Sequence, residues 1–169
     1  FGPLFVRGDT QDPQARLVEA EAYRDFSRAC LDRCRARSPI RGLTGRAFTA
    51  INYTALALLN TVIMEDRFVT PCRAGRNMVV MNDEGLIEPC EILGYYIRQG
   101  KADIPSSVCG NIRDFDYDIR RVLATKAATR ITEHIIESNC YCTFECAMAV
   151  NVLYTPRLWL RVLRNFFRL

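Results

Sequence analysis

A chain of 169 residues with 49% hydrophobic content holds enough apolar material for one domain, or one and a half, and this excludes a disordered chain. The net charge of +4 is local: Arg157, Arg161, Arg164 and Arg168 follow Pro156 with no acidic residue among them, and the rest of the chain is balanced. That distribution argues against a nucleic-acid partner, which calls for Lys and Arg spread over one face of the main domain. No apolar stretch is expected to reach transmembrane length, Ala55 to Met64 being the longest candidate, interrupted by Asn60 and Thr61. The chain opens at Phe1 without a basic leader or cleavage site, so the expectation is a cytoplasmic protein and a fragment or processed piece of a longer one.

In chain order, Phe1 to Val6 reads as a short apolar strand. Asp12-Pro13 starts a helix that runs to about Arg37, with aspartate as cap and proline at the first helical position. Its buried stripe is read as Val18, Ala22, Tyr23, Phe26, Cys30 and Cys34, and Ser38-Pro39 stops it. Gly42 and Gly45 mark a loop. Ala47 to about Arg67 forms a second helix, apolar around much of its circumference, which expects cover on several sides.

From Asn77 the period changes to that of a hairpin: Met78 to Met81, a turn through Asn82-Asp83-Glu84-Gly85, then Leu86 to Pro89. Gly94 to Ser107 reads as a variable loop, and Gly110 to Ile112 as a return to the sheet edge. Asp118 to about Glu137 is helical with a break near Lys126. Asn139 to Phe144 is a tight cysteine loop leading into a helix over Glu145 to Leu153, and Pro156 separates a final helix. The fold class is therefore α+β: mostly helical, with a small hairpin-based domain.

The chemistry lies in the cysteines. Cys72 and Cys90 flank the hairpin, so folding it draws two thiols toward one end, and Cys140, Cys142 and Cys146 crowd a loop that opens a helix. Helix amides there favour thiolate and cluster sulfide. Eight cysteines in a chain of this length, with no secretory signal in view, point to metal binding rather than disulfides. Zinc and iron-sulfur clusters both accept four cysteines, but the paired Cys-x2-Cys knuckles of zinc ribbons are absent, which fits a cluster better. A zinc-stabilised, non-catalytic module and a disulfide domain are the rivals.

Other groups carry blander readings. Cys109 is isolated and reads as a packing residue. Cys30-Leu-Asp-Arg-Cys34 has Arg37 where a third cysteine would complete a cluster loop, and it lies in an amphipathic helix. His134, the single histidine, reads as a partly exposed helix residue, and Asp114, Asp116 and Asp118 as a loop entering an acid-capped helix. The tail from Arg157 to Leu169 is amphipathic, and docking on the domain or on a partner segment is favoured over a membrane surface.

The spacing Cys72, twelve residues, Gly85, four residues, Cys90, together with Cys142-x3-Cys146 inside Cys-Tyr-Cys-Thr-Phe-Glu-Cys, resembles the C-terminal auxiliary cluster domains of radical S-adenosylmethionine enzymes, the SPASM and twitch group. The resemblance covers about residues 70 to 156 closely, and Leu4 to Tyr23 loosely resembles the end of the preceding barrel. It implies residues 1–67 as the last strand and helix units of a partial α/β barrel, 68–156 as the auxiliary domain, and 157–169 as a basic tail helix. It implies one auxiliary [4Fe-4S] cluster with Cys72, Cys90 and Cys146 as ligands and Cys142 ahead of Cys140 for the fourth place. The Cys-x2-Cys-x5-Cys run of the two-cluster form is missing. S-adenosylmethionine and a second [4Fe-4S] cluster belong to an intact parent, whose N-terminal radical domain with its Cys-x3-Cys-x2-Cys loop is not in these residues. That domain and a peptide or small-molecule substrate are the implied partners, and no catalytic residue is assigned in this chain.

Overall fold

The structure, a computed structural model, describes residues 20–36 and 42–168. The expected strand at Phe1 to Val6 and the Asp12-Pro13 helix start lie outside them, as does the side chain of Cys34. The described residues are mostly helical with one three-stranded antiparallel sheet, an α+β arrangement. They form two compact units, one of residues 72–140 and one combining the residues up to Pro71 with Tyr141–Leu169.

The helical unit is built around α2 (Gly42–Glu65), against which α1 (Ala20–Ala36), α6 (Glu145–Leu153) and α7 (Trp159–Arg168) all pack. This is the cover its apolar circumference demands. Leu58, Leu59 and Val62 of α2 meet Tyr23 of α1, Met148 and Val152 of α6, and Leu158 of the short 3-10 turn Pro156–Leu158 that leads into α7. Two sequence expectations are corrected here. The buried stripe of α1 carries Tyr23 and Ser27, whereas Ala22 and Phe26 are exposed and Cys30 is half-buried, because the helix is rotated by about one position from the assumed phase. And α2 begins at Gly42: Gly45 is buried within it, and its carbonyl accepts from the Thr49 hydroxyl at 2.8 Å, so the two glycines join the helix instead of interrupting it. By length and composition alone α2 is long and apolar enough to cross a membrane, a feature that core helices share; its buried face is taken by the three neighbouring helices, and the described residues contain no clear transmembrane segment.

The second unit grows from the hairpin. Strands β1 (Val80–Met81) and β2 (Leu86–Glu88) pair antiparallel with Met81 opposite Ile87, and β3 (Gly110–Asn111) adds to the other edge of β2 with Gly110 opposite Ile87. The turn is closed by Asn82, whose side-chain oxygen accepts from the Leu86 N–H at 2.9 Å, and by Gly85 at φ 83°, a left-handed conformation that suits glycine. Central in the sheet, Ile87 is 1% exposed and packs with Leu93, Val122, Ile131 and Ile135.

The expected loop from Gly94 instead contains α3 (Leu93–Arg98). Its Leu93, Tyr96 and Ile97 share one face against the core, and Gly100 at φ 66° ends it, with the Gly100 and Lys101 N–H groups bonded back to Ile97 and Tyr96 carbonyls. The helical stretch after Asp118 breaks near Lys126 as read from the sequence, giving α4 (Ile119–Leu123) and α5 (Lys126–Glu137). Each has its own cap: the Asp118 carboxylate accepts from the Arg120 N–H at 2.9 Å, and the Thr125 hydroxyl accepts from the Ala128 N–H at 3.1 Å.

Candidate metal centre

Three of the five candidate ligands, Cys72, Cys90 and Cys140, belong to the sheet-containing unit, and Cys142 and Cys146 belong to the helical one. Cys72 and Cys140 are the first and last residues of their unit, so the chain enters and leaves it through a thiol.

Local structure fixes each of the three. Cys72 precedes a tight turn in which the Asn77 N–H bonds to the Arg73 carbonyl and the Gly75 N–H to Met78. Cys90 follows Pro89 at the end of β2, where the N–H groups of Ile92 and Leu93 point at its sulfur. Cys140 is set by the C-terminal cap of α5. Asn139 adopts φ 50°, and the Asn139 and Cys140 N–H groups bond to the carbonyls of Ile136 and Ile135 at 3.2 and 3.1 Å, the paired bonds of a Schellman motif. Asparagine is the residue after glycine best suited to that left-handed cap, so the turn that aims Cys140 is written into Ser138-Asn139.

These placements bring the Cys72 and Cys140 side chains into hydrogen-bond contact, and that contact lowers the Cys72 thiol from 9.0 to about 7. Burial of Cys72 works against the shift, while the Ala74 N–H and the Arg76 charge support it. Cys90 lies close enough to feel the Cys72 charge, which adds to a rise caused first by its own burial. A thiol that ionises near neutral pH is the form of cysteine that binds soft metals. Among the described residues, however, no three His, Cys, Asp or Glu side chains stand close enough together to hold a metal ion. The donor chemistry suits a thiolate-ligated centre, and the geometry supplies a two-thiol nucleus with a third thiol in electrostatic range.

The remaining sequence candidates fall outside this nucleus. Cys109 is 2% exposed in the core, its pKa pushed up to about 11 by burial and then by Glu88, so it is a neutral packing thiol. Its backbone carbonyl accepts from the Thr125 hydroxyl at 3.0 Å, which ties β3 to the start of α5. None of the described cysteines forms a disulfide. His134 is half-buried and, with Arg130, Asp103 and Glu137, lines a cleft of about 390 Å³ between α5 and the 103–108 segment. The sequence reading overlooked that cleft, and the spacing of Arg130 and His134 on one helix turn was the signal for it. The resemblance ranks Cys142 before Cys140, yet the thiol against Cys72 is that of Cys140; no spacing rule distinguishes the two, since only the α5 cap decides which one turns inward. Comparison with protein-family models, with curated proteins and with solved structures returned no match.

Proposed function

We propose that this chain is the C-terminal part of a radical S-adenosylmethionine enzyme and carries one auxiliary [4Fe-4S] cluster on cysteine thiolates. The observation that carries the reading is the Cys72–Cys140 contact, which joins the two ends of one unit and produces a thiol ionising at about 7. Cys90, drawn to the same end by the hairpin, is the third ligand, and the resemblance leaves the one remaining place to Cys146 or Cys142. When bound, such a cluster supplies an electron-transfer centre or an anchor for substrate.

The chain's own residues would hold and shield it. Cys72 is buried in one apolar cluster with Ala74, Ile131 and Ile135, against which Cys90 and Cys140 pack, and such burial bears on the potential of a centre held there. In this reading residues 1–67 end a partial α/β barrel whose other strands lie in an N-terminal radical domain. The protein is cytoplasmic, and a peptide or small metabolite is its substrate class.

Anaerobic reconstitution of the full chain with iron and sulfide tests this. The expected product is brown, with iron and sulfide in equal amounts, and Cys72→Ala, Cys90→Ala or Cys140→Ala lowers the bound iron while Cys30→Ala leaves it unchanged. A colourless protein that takes up zinc on the same cysteines, or iron retention indifferent to all three substitutions, overturns the cluster. Substitution of Cys142 or Cys146, one at a time, then identifies the remaining ligand.

A further inference from the structure

The last helix uses only part of its surface to dock. Within the helical unit, Val162 packs into the core, the Asn165 amide donates to the Thr54 hydroxyl at 2.9 Å, and the Arg46 guanidinium lies 5.4 Å from the centre of the Phe166 ring. These three positions share one side of α7, the side turned to α2. The adjoining arc carries Trp159, Leu160, Leu163 and Phe167, which remain 56%, 77%, 52% and 71% exposed. Leu153 and Tyr154 at the end of α6 extend the same exposed apolar surface, and the Trp159 indole N–H fixes the junction by donating to the Leu153 carbonyl at 2.9 Å.

Charge decides what this surface meets. Arg161, Arg164 and Arg168 occupy the next arc of α7, Arg157 precedes it, and all four are exposed. No Asp or Glu follows Glu145 in the chain, and the one acidic residue in α2 is Glu65 at its last position. Isolated exposed hydrophobics are ordinary, but a contiguous Trp, Leu and Phe arc bordered by exposed arginines is not what a water-facing helix carries. It matches an interfacial helix, whose apolar arc enters the acyl boundary while arginines stay among anionic headgroups. A nucleic acid would leave the Leu and Phe side chains unused, and a second copy of the same arc would bring like charges together.

We infer that α7 is a peripheral membrane-binding element that docks the chain on bilayers rich in anionic phospholipid. The surface belongs to the helical unit and does not depend on the metal centre.

Trp159 is the single tryptophan and sits in the arc, so its fluorescence reports insertion directly. The full chain is mixed with vesicles of phosphatidylcholine alone or with one third phosphatidylglycerol added. Expected are a blue shift of Trp159 and partitioning about tenfold stronger on the anionic vesicles, weakened by high salt. Leu160→Glu with Phe167→Glu, both on exposed positions, removes the binding without changing the helical circular dichroism. Arg161→Ser with Arg164→Ser removes the preference for anionic lipid. Equal partitioning on the two vesicle types, an unshifted Trp159 spectrum, or a shift that follows protein concentration or added RNA instead of vesicles overturns the proposal. The salt dependence of the wild-type chain decides even if a variant fails to fold.

Discussion

Replacing Cys140 by alanine in the metal-free chain should return the Cys72 thiol from about 7 toward its ordinary 9.0, because the Cys140 contact is the largest cause of the depression. The difference corresponds to about 3 kcal/mol of preference for thiolate over thiol. At pH 8 a thiol with a pKa of about 7 is about nine-tenths ionised and one of 9.0 about one-tenth, so the effect is large in a simple titration. The assay is thiolate absorbance against pH under anaerobic conditions, taken as the difference between wild type and Cys72→Ser, and repeated in the Cys140→Ala background. The wild-type difference should have its midpoint near 7 and the second difference near or above 9. A wild-type midpoint at 9 or higher, or one that Cys140→Ala leaves in place, refutes the contact and with it the nucleus of the proposed centre.

The same shifts fix how stability depends on pH. Cys72 is depressed in the fold, so between about 7 and 9.0 the unfolded chain binds more protons and stability rises with pH, a contribution lost as the pH falls through about 7. Cys109 is raised to about 11, so its contribution is present below 9.0 and lost as the pH rises through about 11. Denaturant unfolding of the metal-free chain should therefore show these thiols stabilising most near pH 9, and Cys72→Ser should flatten the rise below it. Ile87→Ala should cost about 2–5 kcal/mol by chemical denaturation, since the side chain is 1% exposed at the centre of the sheet. Gly85→Ala should cost about 1–3 kcal/mol, because φ is 83° and an added Cβ would stand 2.9 Å from the Asn111 side-chain oxygen. Thr125→Ala should cost about 0.5–2 kcal/mol, through loss of the α5 cap and of the bond to the Cys109 carbonyl. Values within a few tenths of zero for any of the three would contradict the packing described.

The candidate centre was partly legible and partly not. Sequence spacing singled out Cys72 and Cys90, because a hairpin with Gly85 in its turn returns its two flanks to one end whatever else the chain does. It could not choose between Cys140 and Cys142, two positions apart. That choice depends on the left-handed turn at Asn139, which directs Cys140 into the unit that Cys72 opens.

Taken alone, the sequence determined the features that arise within a few residues: the Asn82–Gly85 turn, the acid cap at Asp118, the break near Lys126, and the amphipathic tail with its arginines. Each rests on a side chain bonding to its own nearby backbone or on a simple period. Tertiary packing decided the rest. It rotated α1 to bury Tyr23 and Ser27, recruited Gly42 and Gly45 into α2, and stabilised the short α3 through Leu93. It also selected which arc of α7 faces α2 and which stays open. A short helix or a glycine-bearing turn is marginal by propensity, and burial against a neighbour distant in the chain supplies the difference.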